Sequence, residues 1–437
     1  MDWILIFIGT IVVLFSLLFL GQWIAFALGA TGLLGLYVVT GGTKFFETLS
    51  TIAWNTTNSF EYTSIPLFIL MGEILVHSGL SRYFYDGAAK WFGRLPGGLL
   101  QTNIISCSIF AAICGSSPAT ASAIGSVSYP EMVKQKYNKS MVIGSLAGGG
   151  ALGILIPPSI TMIIYGAIVE TSVEKLFMAG LVPGILAAVI FMIYIGVASL
   201  VKKDLTPAKT EKLSAREKIK SSLGMLPFLV MIVAVLGGIY TGFTTTAEAA
   251  AIGVIMAIIF SFIVKGITWS NFKQSIIATI KLTTMILTIV FCSKVLSYFV
   301  VISGISRNLT EWIISINPTI VEFLLVITVL YLILGCLMDG ASMMYITIPI
   351  LLPSIQSLGI DLTWFGVILV ILIELSMITP PVGLNLYVLH GVVNNLGSPT
   401  EFGEVIKGSI PYCLMYLALV LIVMLFPGLA LWLPGMM

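Results

Sequence analysis

The chain has 437 residues, of which 58% are hydrophobic and only 9% charged, with a mean hydropathy of +1.09. Soluble globular chains carry about 25% charged residues, so this composition excludes a water-soluble fold, and a formal charge of +2 is too small to point to nucleic acid. No Gly-x-x-x-x-Gly-Lys-(Ser/Thr) phosphate loop occurs, which excludes a primary ATP-driven pump. What remains is an all-α polytopic membrane protein, in which ~20 residues per crossing leave room for about ten helices and some shorter hydrophobic pieces.

From the start, Met1-Asp2-Trp3 lacks the basic region of a cleaved signal peptide and leads into an apolar run, predicting a retained first helix. Runs at 3–20, 23–40 and 62–79 each suit a crossing. Residues 79–97 differ: Arg82, Asp86, Lys90 and Arg94 recur every four residues while Leu80, Phe84, Trp91 and Leu95 fill other positions, predicting an arm in the membrane interface. The next apolar stretch, 98–131, is interrupted at Cys114-Gly115-Ser116-Ser117-Pro118 and has lysines and arginines on both flanks, ending with Lys134, Lys136 and Lys139. Basic loops mark the cytoplasmic side, so this segment enters and returns as a re-entrant hairpin. A run at 141–168 containing Pro157-Pro158, and another at 176–200, complete a first half over 1–201. The basic stretch 202–222 reads as a cytoplasmic linker.

The second half, 223–437, repeats this order. Crossings at 223–241, 246–264 and 276–302 lead to a shorter arm at 303–318, with Arg307 and Glu311 on its charged side. A second hairpin at 319–357, a run at 362–391 containing Pro380-Pro381 and a last crossing at 405–435 follow. Ser78-Gly79-Leu80-Ser81-Arg82 recurs as Ser303-Gly304-Ile305-Ser306-Arg307, and at the same offset of 225 Gly115 matches Gly340 and Ser117 matches Ser342. At an offset of 223 Pro130 matches Pro353 and Pro157-Pro158 matches Pro380-Pro381. Carried along the chain, the positive-inside rule leaves only Lys44, Lys175 and Arg307 among the outer loops, beside acids such as Glu61, Glu170 and Asp361. The second hairpin then enters from the outer face and both termini lie outside. Two halves of opposite orientation are the inverted-topology repeats of secondary transporters.

The chemistry is expected where helices break, because unpaired backbone groups in hydrocarbon persist only where protein, water or ions satisfy them. Ser117 is predicted as an N-cap with Pro118 at the first helical position. The half-helix ending near Cys114 and Gly115 would offer carbonyls to a cation, and the one that follows would offer N–H groups to a carboxylate. The second tip, Met338-Asp339-Gly340-Ala341-Ser342, carries an acid that is costly inside a bilayer without a partner. Facing the tips are Gly148-Gly149-Gly150-Ala151-Leu152-Gly153-Ile154-Leu155-Ile156-Pro157-Pro158-Ser159 and Thr379-Pro380-Pro381-Val382-Gly383-Leu384-Asn385, whose prolines leave upstream carbonyls free. Such hard oxygen ligands suit a small cation such as sodium. Glu73, Lys294 and Glu374 are also embedded, and pairing among themselves is their structural reading. The cysteines, Cys107, Cys114, Cys292, Cys336 and Cys413, lie in apolar segments without metal-ligand spacing and read as buried fillers. An intramembrane serine hydrolase at Ser116 or Ser117 would need a nearby base, and His77 and His390 lie far from the tips in this topology. The chain therefore reads as a transport protein and not an enzyme.

The tip at 114–120, the stretch at 148–159, Leu-Gly-Cys-Leu-Met-Asp at 334–339 and Thr-Pro-Pro-Val-Gly-Leu-Asn at 379–385 closely resemble the large membrane subunit of tripartite ATP-independent periplasmic (TRAP) transporters. The resemblance spans essentially the whole chain, and it implies a bacterial or archaeal cytoplasmic membrane as the setting, which puts the outer termini in the periplasm. It implies a sodium-coupled, elevator-type importer with two partners: a small four-helix membrane subunit and a periplasmic substrate-binding protein that delivers an organic acid. C4-dicarboxylates, keto acids and sugar acids such as sialic acid are the substrate classes it allows. Carried over, a first sodium site falls at Ser116, Ser117, Gly149, Gly153 and Pro157, and a second at Asp339, Gly340, Thr379, Gly383 and Asn385. Ser116, Ser117 and Asn385 are the expected substrate contacts. The alternative is an autonomous ion-coupled carboxylate transporter or antiporter that needs no binding protein.

Overall fold

The computed structural model describes residues 3–42, 44–202, 205, 221–335, 338–381, 383–397 and 400–436. Cys336, Val382 and nearly all of the predicted linker lie outside the described residues. All regular structure among the described residues is helical. Among the described residues, five segments are long and apolar enough to cross a membrane: Phe60–His77, Val173–Val201, Thr246–Ile263, Trp269–Ile302 and Phe402–Leu425. The remaining apolar helices are shorter, and several are halves of interrupted elements.

In the first half, α1 (Trp3–Phe19) and α2 (Ile24–Thr40) are followed by α3 (Phe45–Thr57), α4 (Ser64–His77) and the arm α5 (Leu80–Phe92). No crossing is predicted at α3, whose residues are too polar overall to resemble one. The hairpin consists of α6 (Leu99–Cys114) and α7 (Ser117–Lys134), and the broken element of α8 (Lys139–Gly150), a short 3-10 turn (Ala151–Ile154) and α9 (Ile160–Val169). The long α10 (Val173–Val201) closes the half. In the second half come α11 (Leu226–Tyr240), α12 (Thr246–Ile263), α13 (Trp269–Ile302) and the arm α14 (Ile305–Ile316). The hairpin α15 (Ile320–Gly335) and α16 (Gly340–Ser357) precedes the broken pair α17 (Leu362–Ile378) and α18 (Leu384–Asn395), then α19 (Phe402–Leu425) and α20 (Gly428–Leu431).

The order arm, hairpin, broken helix and long helix thus occurs twice, as the repeat predicts. Each arm starts after a left-handed glycine, Gly79 at φ 73° and Gly304 at φ 76°. Each double proline contains a cis peptide bond, Pro157-Pro158 and Pro380-Pro381. The arms bury one side only: Leu80, Phe84 and Tyr85 face inward on α5 while Arg82, Asp86 and Lys90 are exposed. On α14, Arg307 donates to Glu311 at 2.9 Å on the exposed side.

Packing sorts the helices into two groups. In one, α13 lies against α2 and α4, and α12 against α4 and α11. In the other, α8 packs on α6, α7 and α19, and α17 on α15, α16 and α19. At the centre of the second group, α17 is buried from Thr363 to Ile378, as expected of a helix that is apolar on every face.

Candidate functional site

The tips of the two hairpins meet across a cavity of about 470 Å³. Gly115, Ser116, Ser117 and Pro118 line one side and Asp339, Gly340 and Ala341 the other. Side chains of α4, α9, α13, α17 and α18, apolar except for Glu73 and Thr161, complete the wall. A mostly apolar cavity of this size with a few convergent polar groups suits a small ligand.

The first tip turns at Gly115, in the left-handed region at φ 62°, and docks on the broken element of its own half, where Gly115 O accepts from Ile160 N at 3.4 Å. The N-cap of α7 is Ser116, not Ser117 as the sequence reading has it; Ser117 and Pro118 are the first two helical residues. The reason lies across the interface. The Ser117 hydroxyl points away from its own helix end toward Gly150 O at 2.9 Å and the Glu374 carboxylate at 2.7 and 2.8 Å. Ser116 makes no side-chain cap bond, so the N-terminus of α7 presents its dipole without a side-chain cap at a tip that lines the cavity.

The second tip is built differently. Asp339 is the N-cap of α16 and accepts from Ala341 N at 3.1 Å, from Ser342 N at 3.3 Å and from the Ser342 hydroxyl. Its carboxylate therefore has its partners within its own turn, which answers the cost that the sequence assigns to a lone acid at this depth.

Of the other predicted site residues, Gly149 and Gly153 serve close packing. A Cβ on Gly149 would stand 3.1 Å from Cys107 Cβ, and one on Gly153 only 2.7 Å from Ser116 O. Pro157 lies in the cis bond and Gly383 is left-handed at φ 51°. The Thr379 hydroxyl donates back to Leu375 O at 2.6 Å. Asn385 is fully buried, and neither atom of its amide group has a hydrogen-bond partner among the described residues. Ser116, Ser117, Asp339 and Gly340 thus share the cavity wall, whereas Gly149, Gly153, Pro157, Thr379, Gly383 and Asn385 lie behind it.

The embedded charges do not pair with one another. Glu73, on the cavity wall, lies 3.3 Å from His77 one turn on. Lys294 borders a separate cavity of about 690 Å³ whose wall includes Glu61 and Glu170. Glu374 is the participant the sequence reading does not assign: its only sequence signal is an acid in an apolar run, and its partners Ser117 and Ile154 come from the other half. His390 is engaged away from the tips, with its Nε2 3.0 Å from Thr400 O. The described cysteines Cys107 and Cys114 are buried and Cys292 and Cys413 partly so, all with free thiols.

Comparison with known proteins gives the same outline. The family model described as "Tripartite ATP-independent periplasmic transporter, DctM component" matches residues 11–429. The chain is 36% identical to the C4-dicarboxylate TRAP transporter large permease protein DctM of Pseudomonas aeruginosa, covering 87% of this chain and 88% of that one. It is 35% identical to the protein of the same name from Rhodobacter capsulatus, over 97% and 98% of the two chains. Among solved structures, the YdaH transporter of Alcanivorax borkumensis aligns with a TM-score of 0.56 over 89% of each chain, at 13% identity, a likeness of fold alone.

Proposed function

The chain belongs to the family of the DctM component, the large permease, of tripartite ATP-independent periplasmic transporters, and from that membership we propose that it imports an organic acid by sodium-coupled transport. The acid is of the C4-dicarboxylate, keto acid or sialic acid class, and the relatives named for C4-dicarboxylates favour the first. It arrives on a periplasmic binding protein, and a small four-helix membrane subunit completes the transporter in the cytoplasmic membrane, with both termini of this chain periplasmic.

The observation that carries this reading is the cavity between the two hairpin tips. A carboxylate of the substrate is received at the N-terminus of α7 beside Ser116 and Ser117, where the helix dipole and the N–H groups favour an anion. The donor set behind the wall is hard oxygen, which suits sodium. Asn385 supplies the test of fit: a fully buried amide with no partner leaves an oxygen free for a cation. Asn385, Thr379 and Gly383 with the tip residues Asp339 and Gly340 would hold one ion, and Ser116, Ser117, Gly149, Gly153 and Pro157 another. Bound sodium would tie each tip to its broken helix and offset the substrate charge. The two packing groups correspond to a scaffold and a moving unit, with α5 and α14 as the arms between them and the halves 1–201 and 223–437 as the repeats that exchange roles.

The test is uptake into proteoliposomes carrying this chain and the small subunit and supplied with the binding protein. Uptake should require an inward sodium gradient, and equal uptake with potassium in its place would refute sodium coupling. Undiminished uptake without the binding protein would favour the autonomous carrier instead.

A further inference from the structure

Lys294, on α13, lines two neighbouring cavities. The larger is the one of about 690 Å³ whose wall includes Glu61 and Glu170. The smaller, of about 130 Å³, lies between α13 and the second hairpin. Its wall holds Lys294, Ser293 and Ser297 of α13 and Tyr345 of α16, and is otherwise made of apolar side chains of α9, α13 and α16. No carboxylate oxygen lies within 4.0 Å of the Lys294 ammonium among the described residues. The Tyr345 hydroxyl, on a residue only 1% exposed, has no hydrogen-bond partner among them. An ammonium can only donate and a phenol donates readily. Two such donors therefore share one small cavity, the first without a counter-ion and the second without an acceptor.

The carbonyls that this cavity would offer a cation are already used. Pro349 has no N–H, which frees the carbonyl one turn back at Tyr345, and the Ser293 hydroxyl donates to that oxygen at 3.0 Å. Pro353 frees the carbonyl of Pro349 in the same way, and Ser306 of the arm α14 donates to it at 3.4 Å. What remains is the ammonium with the hydroxyls of Tyr345 and Ser297, a set that calls for an acceptor. Water alone would satisfy the tyrosine and leave an embedded positive charge unpartnered, which is costly. A lysine that only extended its head toward the outer surface would leave the buried tyrosine hydroxyl bare. An anion between them answers both. A cavity needs roughly 10–15 Å³ to hold one water, so this one has room for an anion of a few atoms. Glu61 and Glu170 border only the larger cavity and are exposed there, where solvent and salt screen them. They stand at the approach to Lys294 and compete with an anion for it.

We propose that Lys294, Tyr345 and Ser297 form an anion site, separate from the cavity between the hairpin tips, that receives one small anionic group: chloride or the carboxylate of an organic acid. Lys294 supplies the charge, and Tyr345 and Ser297 supply directed, charge-assisted hydrogen bonds. Because α13 lies in one packing group and α16 in the other, the bound anion bridges the two. The site does not rest on sodium coupling or on the identity of the transported acid.

Saturation-transfer NMR tests this with formate as the probe, on the full chain in lipid nanodiscs without sodium or chloride. Irradiating protein methyl groups should pass saturation to the formate proton well beyond the level of empty nanodiscs. Lys294→Met should lower that signal several-fold, Tyr345→Phe should weaken formate binding by a smaller factor, and Glu170→Gln should tighten it. Thermal unfolding gives a second reading: without an anion Lys294→Met should unfold at or above the parent's temperature, because the embedded charge is gone, and formate should raise the parent's unfolding temperature more than the variant's. If Lys294→Met does not fold, Tyr345→Phe decides the matter. Displacement of formate by chloride but not by succinate identifies an inorganic ion as the occupant, and displacement by succinate identifies a carboxylate; either supports the site. No transfer above empty nanodiscs, or a signal unchanged in both Lys294→Met and Tyr345→Phe, overturns it. So does a signal unchanged in Lys294→Met and lost in Ser117→Ala, which would place formate between the tips. Failure of sodium-driven uptake leaves these outcomes unaffected, so the two readings fail separately.

Discussion

Gly153 lies so close to Ser117 that a Cβ on the glycine would stand 2.6 Å from the serine Cα. The glycine belongs to the broken element of the first half and the serine to the hairpin tip, so this contact sets how deeply the tip docks. Because the obstructing atoms are backbone, no side-chain rotation relieves the clash. Gly153→Ala should cost about 1–3 kcal/mol of stability as an overpacked site, and uptake should fall further than stability does. Gly237→Ala, on a helix with nothing within 4 Å of the added methyl, is the control and should be neutral or slightly stabilising. Thermal unfolding beside uptake for both variants separates the two effects.

Asp339 caps α16 and is also the acid proposed for the second sodium ion. Asparagine caps a helix about as well as aspartate, whereas alanine costs about 1 kcal/mol. Asp339→Asn should therefore keep the unfolding temperature and weaken the sodium dependence of uptake, while Asp339→Ala should lower both. A normal sodium titration in Asp339→Asn would reduce the residue to its capping role.

Asn385 gives a prediction with a reversal of sign. An unpaired buried amide costs about 1–3 kcal/mol, so without sodium Asn385→Leu should be as stable as the parent or more so. With saturating sodium the parent should gain stability and the variant should not. Equal stabilisation of both would remove Asn385 from the ion site.

The opposed entry of the hairpins can be read from thiol labelling in a cysteine-free background. Ser354, near the outer return of the second hairpin, is buried and bonded to Thr310 at 2.9 Å and so cannot report. Gln356, exposed one half-turn on, takes its place. Gln356→Cys should react with an impermeant reagent added outside, and Lys134→Cys, exposed at the end of the first hairpin, only from inside. Labelling of both from one face would remove the inverted arrangement.

By itself the sequence determined the membrane class, the two hairpins, the arms and the paired breaks. Each of these is written in local signals: apolar runs long enough to cross, charges recurring on one helical face, and glycine and proline where hydrogen-bonded backbone must stop. The ordered recurrence of Ser78-Gly79 at Ser303-Gly304 and of Pro157-Pro158 at Pro380-Pro381 made the duplication visible without coordinates. Only the tertiary structure decided what the polar residues do, since their partners are distant in the chain. Glu374 looks like any embedded acid until Ser117, 257 positions away, is brought to its carboxylate. Asp339 looks unpaired because a backbone N–H cannot be seen as a partner in a string of letters. Gly153 looks like any other glycine of its run until packing brings the Ser116–Ser117 backbone too close to it for a side chain. Local propensity fixes where a helix ends, and the arrangement of helices fixes which exposed groups at those ends find protein partners and which remain for an ion or a substrate.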